Sequence, residues 1–505
     1  MSRKQEIKKA ALRLLCCISF GTVLLLLAFF VGYHETLSEG LWLPMSNNSD
    51  EVIYNRQLAA VLRDGQIHGY FGYNESHAEM GRFSTWGPFV IWLYAFPGWI
   101  VGAGYNTMFW CNMIFAILMW TVYTFRMGKK QWLIFATELL CLWLPLRQIF
   151  TGTSEPLHFF LLAVVISCTR DEWHGAVGKV AALVACTLET IIRPYGVVLF
   201  LFPLVVGWKQ RNEKGWALGI GILALASTTF SLWVMNMLSA PFWEQSLDFS
   251  IFQKIGQRDI SGAIIYFFEK LIHAFAELKN DYLIPTLKGE AENYIADVGH
   301  AFLRIVVMMT VVAVLCVYDA VKRKPVKEKV SGLVCATIIF LAIMVLYVPA
   351  QLYRYSAFIC LTLLMVSVQE TVSILLCVPL IILLFWPENF VRINSLPRYN
   401  VNMATQIRQM TQALTLSQSQ FAESEEPWQH TLSFSYGDLH FGYLYAVPAG
   451  MGIQFDLNAY IADPENTICS QYVMVNHGTQ AEARLLAEKW TVLISTENEI
   501  IYERP

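Results

Sequence analysis

The stretch from Ser46 to Ile100 decides how this chain reads: SNNSDEVIYNRQLAAVLRDGQIHGYFGYNESHAEMGRFSTWGPFVIWLYAFPGWI. A paired carboxylate, Asp50-Glu51, stands about 20 residues past the end of a first apolar run. A helix-like segment follows, then a polar loop rich in Tyr and Trp, then a second apolar stretch from Pro88. That density of charge and aromatic side chains exceeds what a connector between two helices needs.

Around this stretch the chain is apolar. Of its 505 residues 55% are hydrophobic and 15% charged, with mean hydropathy +0.44; soluble domains carry about 25% charge. The apolar residues gather in runs of roughly 15 to 22, the length that crosses a hydrocarbon core of about 30 Å. The expected fold class is therefore an α-helical polytopic membrane protein, and a net charge of −3 gives no general attraction to nucleic acid. Residues 1–31 have the basic start of a signal peptide (Arg3, Lys4, Lys8, Lys9). Their apolar core is long and no small-residue cleavage pattern follows directly, so an uncleaved first helix is expected. Ten of the eleven cysteines lie in or beside apolar runs, as small hydrophobes do, and no Cys/His spacing suggests zinc.

Eleven spans are expected, at 11–31, 106–125, 131–146, 156–169, 177–192, 194–208, 216–238, 301–321, 330–349, 355–369 and 371–387. With the N-terminus inside, the loops RMGKK (126–130), RDEWHGAVGK (170–179), WKQRNEKG (208–215) and VKRKPVKEK (321–329) all fall on the cytoplasmic side, where basic residues collect. The short outer turns carry Arg147, Arg193 and Arg354. If 88–104 crossed, every later loop would invert, so it is expected as an interfacial or re-entrant helix with Trp86, Trp92 and Trp99 at headgroup level. Pro194 separates spans five and six, both short, which implies thinned membrane or a cavity at the outer face.

Outside the bilayer this reading places loop 32–105, loop 240–300 and the tail from about 391 to 505. The transmembrane domain is thus 1–390. In the tail, residues 403–420 pattern as an amphipathic helix. TLSFSYG, FGYLYAVPAGMGIQFDL and YVMVNH pattern as strands, 480–490 as a helix and TVLIST with IIYERP as a strand pair: a small extracytoplasmic α/β domain.

Several outer-face residues have a structural and a chemical reading side by side. Asp50 and Glu51 suit the first turn of a helix capped by Ser49, or a general base or metal ligand facing a membrane-surface cavity. Arg193, in Arg193-Pro194-Tyr195-Gly196, suits a cap, yet an arginine between apolar runs is costly without a partner, and its fork matches a phosphate or carboxylate. Arg354-Tyr355 suits an interfacial belt or a second phosphate grip. Glu155 suits a helix start before Pro156. His68, Asn74, Glu75 and His77 suit a loop or hydrogen bonds to sugar hydroxyls, with Tyr70, Phe71 and Tyr73 stacking on the ring.

In order, Ser49-Asp50-Glu51 with Tyr54, then Gly81-Arg82-Phe83-Ser84-Thr85-Trp86-Gly87-Pro88, Ser154-Glu155-Pro156, Arg193-Pro194-Tyr195-Gly196 and Arg354-Tyr355 resemble the GT-C superfamily of polytopic glycosyltransferases. That superfamily includes protein O-mannosyltransferases, aminoarabinose transferases and galacturonosyltransferases. The resemblance covers about 1–390; the tail matches no domain. It implies transfer of a sugar from a polyprenyl-phosphate donor to an acceptor, protein, glycan or lipid, outside the cytoplasm; a compact chain without eukaryotic sorting signals is expected at a bacterial plasma membrane. In that picture Asp50 is the general base and Glu51 assists. Arg193, Arg354 and Tyr355 hold the donor phosphate, while Tyr54, His68, Glu155 and Tyr195 contact substrate. A divalent metal serves some members, at Asp50 if anywhere. A transporter or flippase of a charged lipid, or an envelope polymerase or ligase using a polyprenyl diphosphate, would use the same arginines.

Overall fold

The computed structural model describes residues 3–33, 36, 49–65, 70–73, 79–80, 83, 87–170, 175–207, 213–238, 248, 250–291, 293–368, 401–421, 426–448 and 450–505. His68, Asn74, Glu75, His77, Trp86 and the expected span 371–387 lie outside them.

Helices dominate. The first is α1 (Arg3–Tyr33), followed by α2 (Ser49–Asp64), α3 (Phe89–Val101), α4 (Thr107–Thr124), α5 (Lys129–Leu142), α6 (Leu144–Ile149), α7 (Glu155–Thr169) and α8 (Gly175–Ile192). A 3-10 segment, Pro194–Phe200, leads into α9 (Leu201–Gly207) and α10 (Glu213–Leu238). Then come α11 (Ser250–Gly256), α12 (Ile260–Glu277), a π-helical turn, α13 (Ile284–Lys288), α14 (Asn293–Val321), α15 (Lys327–Leu346) and α16 (Leu352–Ser367). Among the described residues seven helices are long and apolar enough to cross a bilayer; α3, α7 and the segment 194–205 are apolar but shorter.

Ten of the eleven expected spans are helical, with informative departures. Residues 131–146 are not one helix: the chain breaks at Trp143 (φ 54°), and α6 restarts with Pro145 in its first turn, where its missing N–H costs nothing. The eighth span begins at Asn293 rather than 301. The expected outer loop 240–300 holds α11 to α13. After α8, Pro194 cannot donate to the α-helical ladder, and the 3-10 turn folds back so tightly that a Cβ on Gly196 would sit 2.6 Å from the Glu189 carbonyl carbon.

Helix α3 has 13 residues, ~20 Å of rise, too short to cross. Gly98 lets it lie against Leu58 and Leu62 of α2, while Trp92, Phe96, Trp99 and Ile100 are exposed, as on a helix lying in a membrane interface.

The C-terminal part opens with α17 (Val401–Gln418). Its strands are β3 (Thr431–Tyr436), β4 (Gly452–Leu457), β5 (Tyr472–Asn476), β6 (Thr491–Ser495) and β7 (Glu499–Glu503), with helices α18 (Asn458–Ala462) and α19 (Gln480–Ala487). The sheet has seven strands, because β1 (Tyr70–Tyr73) and β2 (Glu79–Met80) of the first outer loop join it, in order β2-β1-β4-β3-β5-β7-β6. Strand β1 runs parallel to β4, pairing Phe71 with Ile453 and Tyr73 with Phe455. The YFGY segment, expected as loop with rings free to stack on a sugar, is therefore strand. The run 441–457 is also corrected: Phe441–Ala446 is a 3-10 helix capped by the His440 ring, which accepts from Gly442 N, and only Gly452–Leu457 is strand.

Val52 and Ile53 of α2 sit in the apolar core of this sheet, while Tyr54 and Leu58 belong to the core of the helical bundle. Arg56 ties the same helix to the C-terminal part by donating to the carbonyls of Val447, Pro448 and Met451. Helix α2 is thus clamped on two sides, which fixes the direction of its first turn.

Candidate active site

That first turn carries Asp50 and Glu51, near the unpaired N–H groups that favour carboxylates. The two side chains part. Glu51 is 1% exposed and accepts from Gly152 N at 3.0 Å, in the loop ahead of α7. The Asp50 side chain keeps 31% exposure and accepts from Arg354 Nη1 at 2.6 Å.

Arg354, in the first turn of α16, is bifunctional: its Nε donates to Glu155 Oε1 at 2.5 Å. Glu155 begins α7 beside Pro156 and also receives Arg193 Nη2 at 3.4 Å. Arg193, in extended backbone before Pro194, is 1% exposed; its Nη2 donates to Ser154 Oγ at 2.9 Å and its Nη1 to Tyr355 OH at 3.3 Å. The Tyr355 ring lies 5.8 Å from that guanidinium, edge-on to Tyr195 at 5.6 Å, with Tyr347 at 5.7 Å. Tyr54 is buried on α2, and burial followed by the nearby Asp50 carboxylate keeps its hydroxyl well above the usual phenol range, so it stays a donor.

Four elements far apart in sequence thus bring two carboxylates and two guanidiniums together. Formal charge balances, Asp50 and Glu155 against Arg193 and Arg354. Buried charges persist only when paired and hydrogen-bonded. Within the cluster, Arg354 Nη2 is buried with no hydrogen-bond partner among the described residues. An anion entering beside the half-open Asp50 would meet it.

Of the residues expected from sequence, Asp50, Tyr54, Glu155, Arg193, Tyr195, Arg354 and Tyr355 meet here. Glu51 lies behind, anchored to backbone. Sequence reasoning passed over the buried pair His158 Nδ1–Glu189 Oε1 at 2.8 Å, beneath the Arg193 turn, whose N–H donates to the Glu189 carbonyl. A carboxylate inside the apolar run 177–192 was the available signal. Arg147, the third outer-turn arginine, reaches Asp297 at 3.4 Å on α14.

Among the described residues, the donors beside Asp50 form no cluster that fits the divalent metal considered there. Arg354 lies between Asp50 and Glu155, taking the position a cation would hold, and no group of three or more His, Cys, Asp or Glu collects among the described residues.

No protein-family model and no curated protein sequence matches the chain. Solved structures do. The oligosaccharyltransferase of Archaeoglobus fulgidus tethered to an acceptor peptide with the NVT sequon superposes with TM-score 0.53 at 11% identity, over 92% of this chain and 69% of that one. The oligosaccharyltransferase AglB from Archaeoglobus fulgidus, in complex with an inhibitory peptide and a dolichol-phosphate, gives 0.52 at 11% identity, over 95% and 72%. ArnT from Cupriavidus metallidurans bound to undecaprenyl phosphate gives 0.46 at 11% identity, over 96% and 97%. The fold of this chain is similar to that of the archaeal oligosaccharyltransferase AglB.

Proposed function

We propose that the protein is a membrane glycosyltransferase that passes a sugar from a polyprenyl-phosphate donor to a hydroxyl-bearing acceptor on the extracytoplasmic side. The observation that carries this reading is the Asp50–Arg354–Glu155–Arg193 network with its unspent donor on Arg354. Dolichol-phosphate bound to AglB, a protein of the same fold, supports a polyisoprenyl phosphate as the ligand class. Sidedness rests on the loops 126–130, 170–179 and 321–329, which carry Arg and Lys at the opposite helix ends.

Each group then has a task. Without donor, Arg354 holds Asp50. The donor phosphate competes for that guanidinium, a bidentate match, and releases Asp50 toward the acceptor. Asp50 takes the proton of the acceptor hydroxyl as its oxygen attacks the anomeric carbon. The bond from that carbon to the phosphate oxygen breaks, its electrons stay on the polyprenyl phosphate, and Arg354 and Arg193 stabilise the growing charge. A single displacement inverts the anomeric centre. Glu155 keeps both guanidiniums aimed; Tyr54 and Tyr355 supply hydroxyl donors.

The test is release of free polyprenyl phosphate by the purified full chain in nanodiscs, over a panel of polyprenyl-phosphate sugars. Release by wild type and not by Asp50→Ala supports the reading. Binding of the lipid without release from any donor would move the assignment to a lipid transporter, or to an enzyme of diphosphate donors.

A further inference from the structure

The same helices that frame the charged network frame something different at their other ends. Helix α4 runs from Thr107 to Thr124, α7 from Glu155 to Thr169, and α8 from Gly175 to Ile192 next to Arg193. At 1.5 Å per residue the far ends lie ~20–26 Å from the network, close to a hydrocarbon thickness. There the three helices and the start of α1 leave a groove of about 800 Å³.

Its walls are apolar and partly small: Leu14 and Ala11 on α1, Val122 on α4, Ala181 on α8. Its charged lining among the described residues is cationic, Arg126 and Arg170. Arg170 stands 5.8 Å from the Tyr123 ring centre, and Arg13 beside the groove donates to Met127 O at 2.6 Å. Lys129 and Lys130 follow at once in sequence. Inside the groove Ser167 Oγ is buried with no hydrogen-bond partner among the described residues. Apolar walls, a cationic rim and a spare hydroxyl match a phospholipid whose chain lies in the groove and whose phosphate meets the arginines. Basic pockets between transmembrane helices select anionic head groups.

We propose that this groove is a binding site for one anionic phospholipid, in the leaflet opposite the Asp50–Arg354 network. The proposal is independent of the transfer reaction. A headgroup phosphate fits the cations and an acyl chain fits Leu14, Val122 and Ala181. A free phosphate would satisfy only the cations.

The test is native mass spectrometry of the full chain released from nanodiscs holding equal phosphatidylglycerol and phosphatidylcholine with identical acyl chains. Wild type is expected to retain one phosphatidylglycerol in preference, undisplaced by soluble glycerol phosphate. Arg126→Gln with Arg170→Gln should lower that preference roughly thirtyfold, since each cation near an anionic surface is worth ~1 kcal/mol. Arg126→Lys with Arg170→Lys should keep most of it while preserving the charge that orients insertion. Ala181→Trp, which fills the groove and leaves the cations, should remove the retained lipid. Equal retention of both lipids by wild type, displacement by glycerol phosphate, or a preference that survives both the Gln pair and Ala181→Trp would overturn the proposal.

Discussion

Two buried charge clusters stand at opposite ends of this bundle. At one end Lys329 Nζ meets Asp319 at 2.7 Å, with side chains 6% and 1% exposed, one cation against one anion and closed to solvent. At the other, four charges share contacts. Arg354 spans Asp50 and Glu155, Asp50 keeps 31% exposure, and Arg354 Nη2 has no partner among the described residues. The first arrangement is closed to any ligand from solvent, since both Asp319 oxygens and Lys329 are buried, and the pair joins α14 to α15. The second is balanced in charge yet open in geometry. The difference teaches that openness and a spare donor, more than burial of charge, mark the cluster poised to exchange a partner.

Four variants would break or sharpen that contrast. The largest effect is expected at Asp50: Asp50→Asn should lower turnover roughly 100- to 10,000-fold, the range of a general acid–base contribution, while the melting temperature in detergent stays near wild type. Steady-state transfer and thermal unfolding measure the two. Asp319→Asn should do the reverse, costing about 3–5 kcal/mol of stability by leaving Lys329 buried and uncompensated, with turnover per folded molecule unchanged. If Asp319→Asn abolished transfer in folded protein, the closed pair would not be merely structural. Replacing both partners, Lys329→Met with Asp319→Leu, should return stability to within ~1 kcal/mol of wild type or above it, as read by denaturant resistance.

The smallest effect is in the sheet. Asp456 is buried beside Ser433 and Gln454; burial, offset in part by their hydrogen bonds, raises its pKa above the ordinary carboxylate range. The folded state therefore holds that proton to higher pH than the unfolded chain does. The stabilisation is full below the unfolded value and is lost as pH rises through the raised one. Asp456→Asn should flatten the loss, since the Gln454 side chain can turn its unpartnered Oε1 toward the new amide. Hydrogen exchange of β3 and β4 across pH would show it.

The bundle and most of the site were legible because charges in apolar surroundings are conspicuous. Asp50, Glu155, Arg193 and Arg354 each stood out against long apolar runs, since a buried charge needs a partner. What could not be read was who partners whom. Arg354 lies 304 residues from Asp50 and 199 from Glu155, and no local pattern encodes such pairings. Strand β1 failed for the same reason: a four-residue YFGY segment carries little strand signal, and its partner β4 lies some 380 residues later. The run 441–457 misled because aromatic residues at strand-like density also fill a 3-10 turn when His440 caps it. In the two-part helix at Trp143, apolar composition was continuous and concealed a backbone break.

The central claim is that donor phosphate and Asp50 compete for Arg354. Titrating the purified full chain with a polyprenyl phosphate, for wild type, Asp50→Asn and Arg354→Gln, tests it most directly. The account predicts that Asp50→Asn binds the lipid phosphate at least as tightly as wild type while losing transfer, because a competitor for the guanidinium is gone, and that Arg354→Gln binds it more weakly. Weaker lipid binding in Asp50→Asn, or unchanged binding in Arg354→Gln, would contradict it.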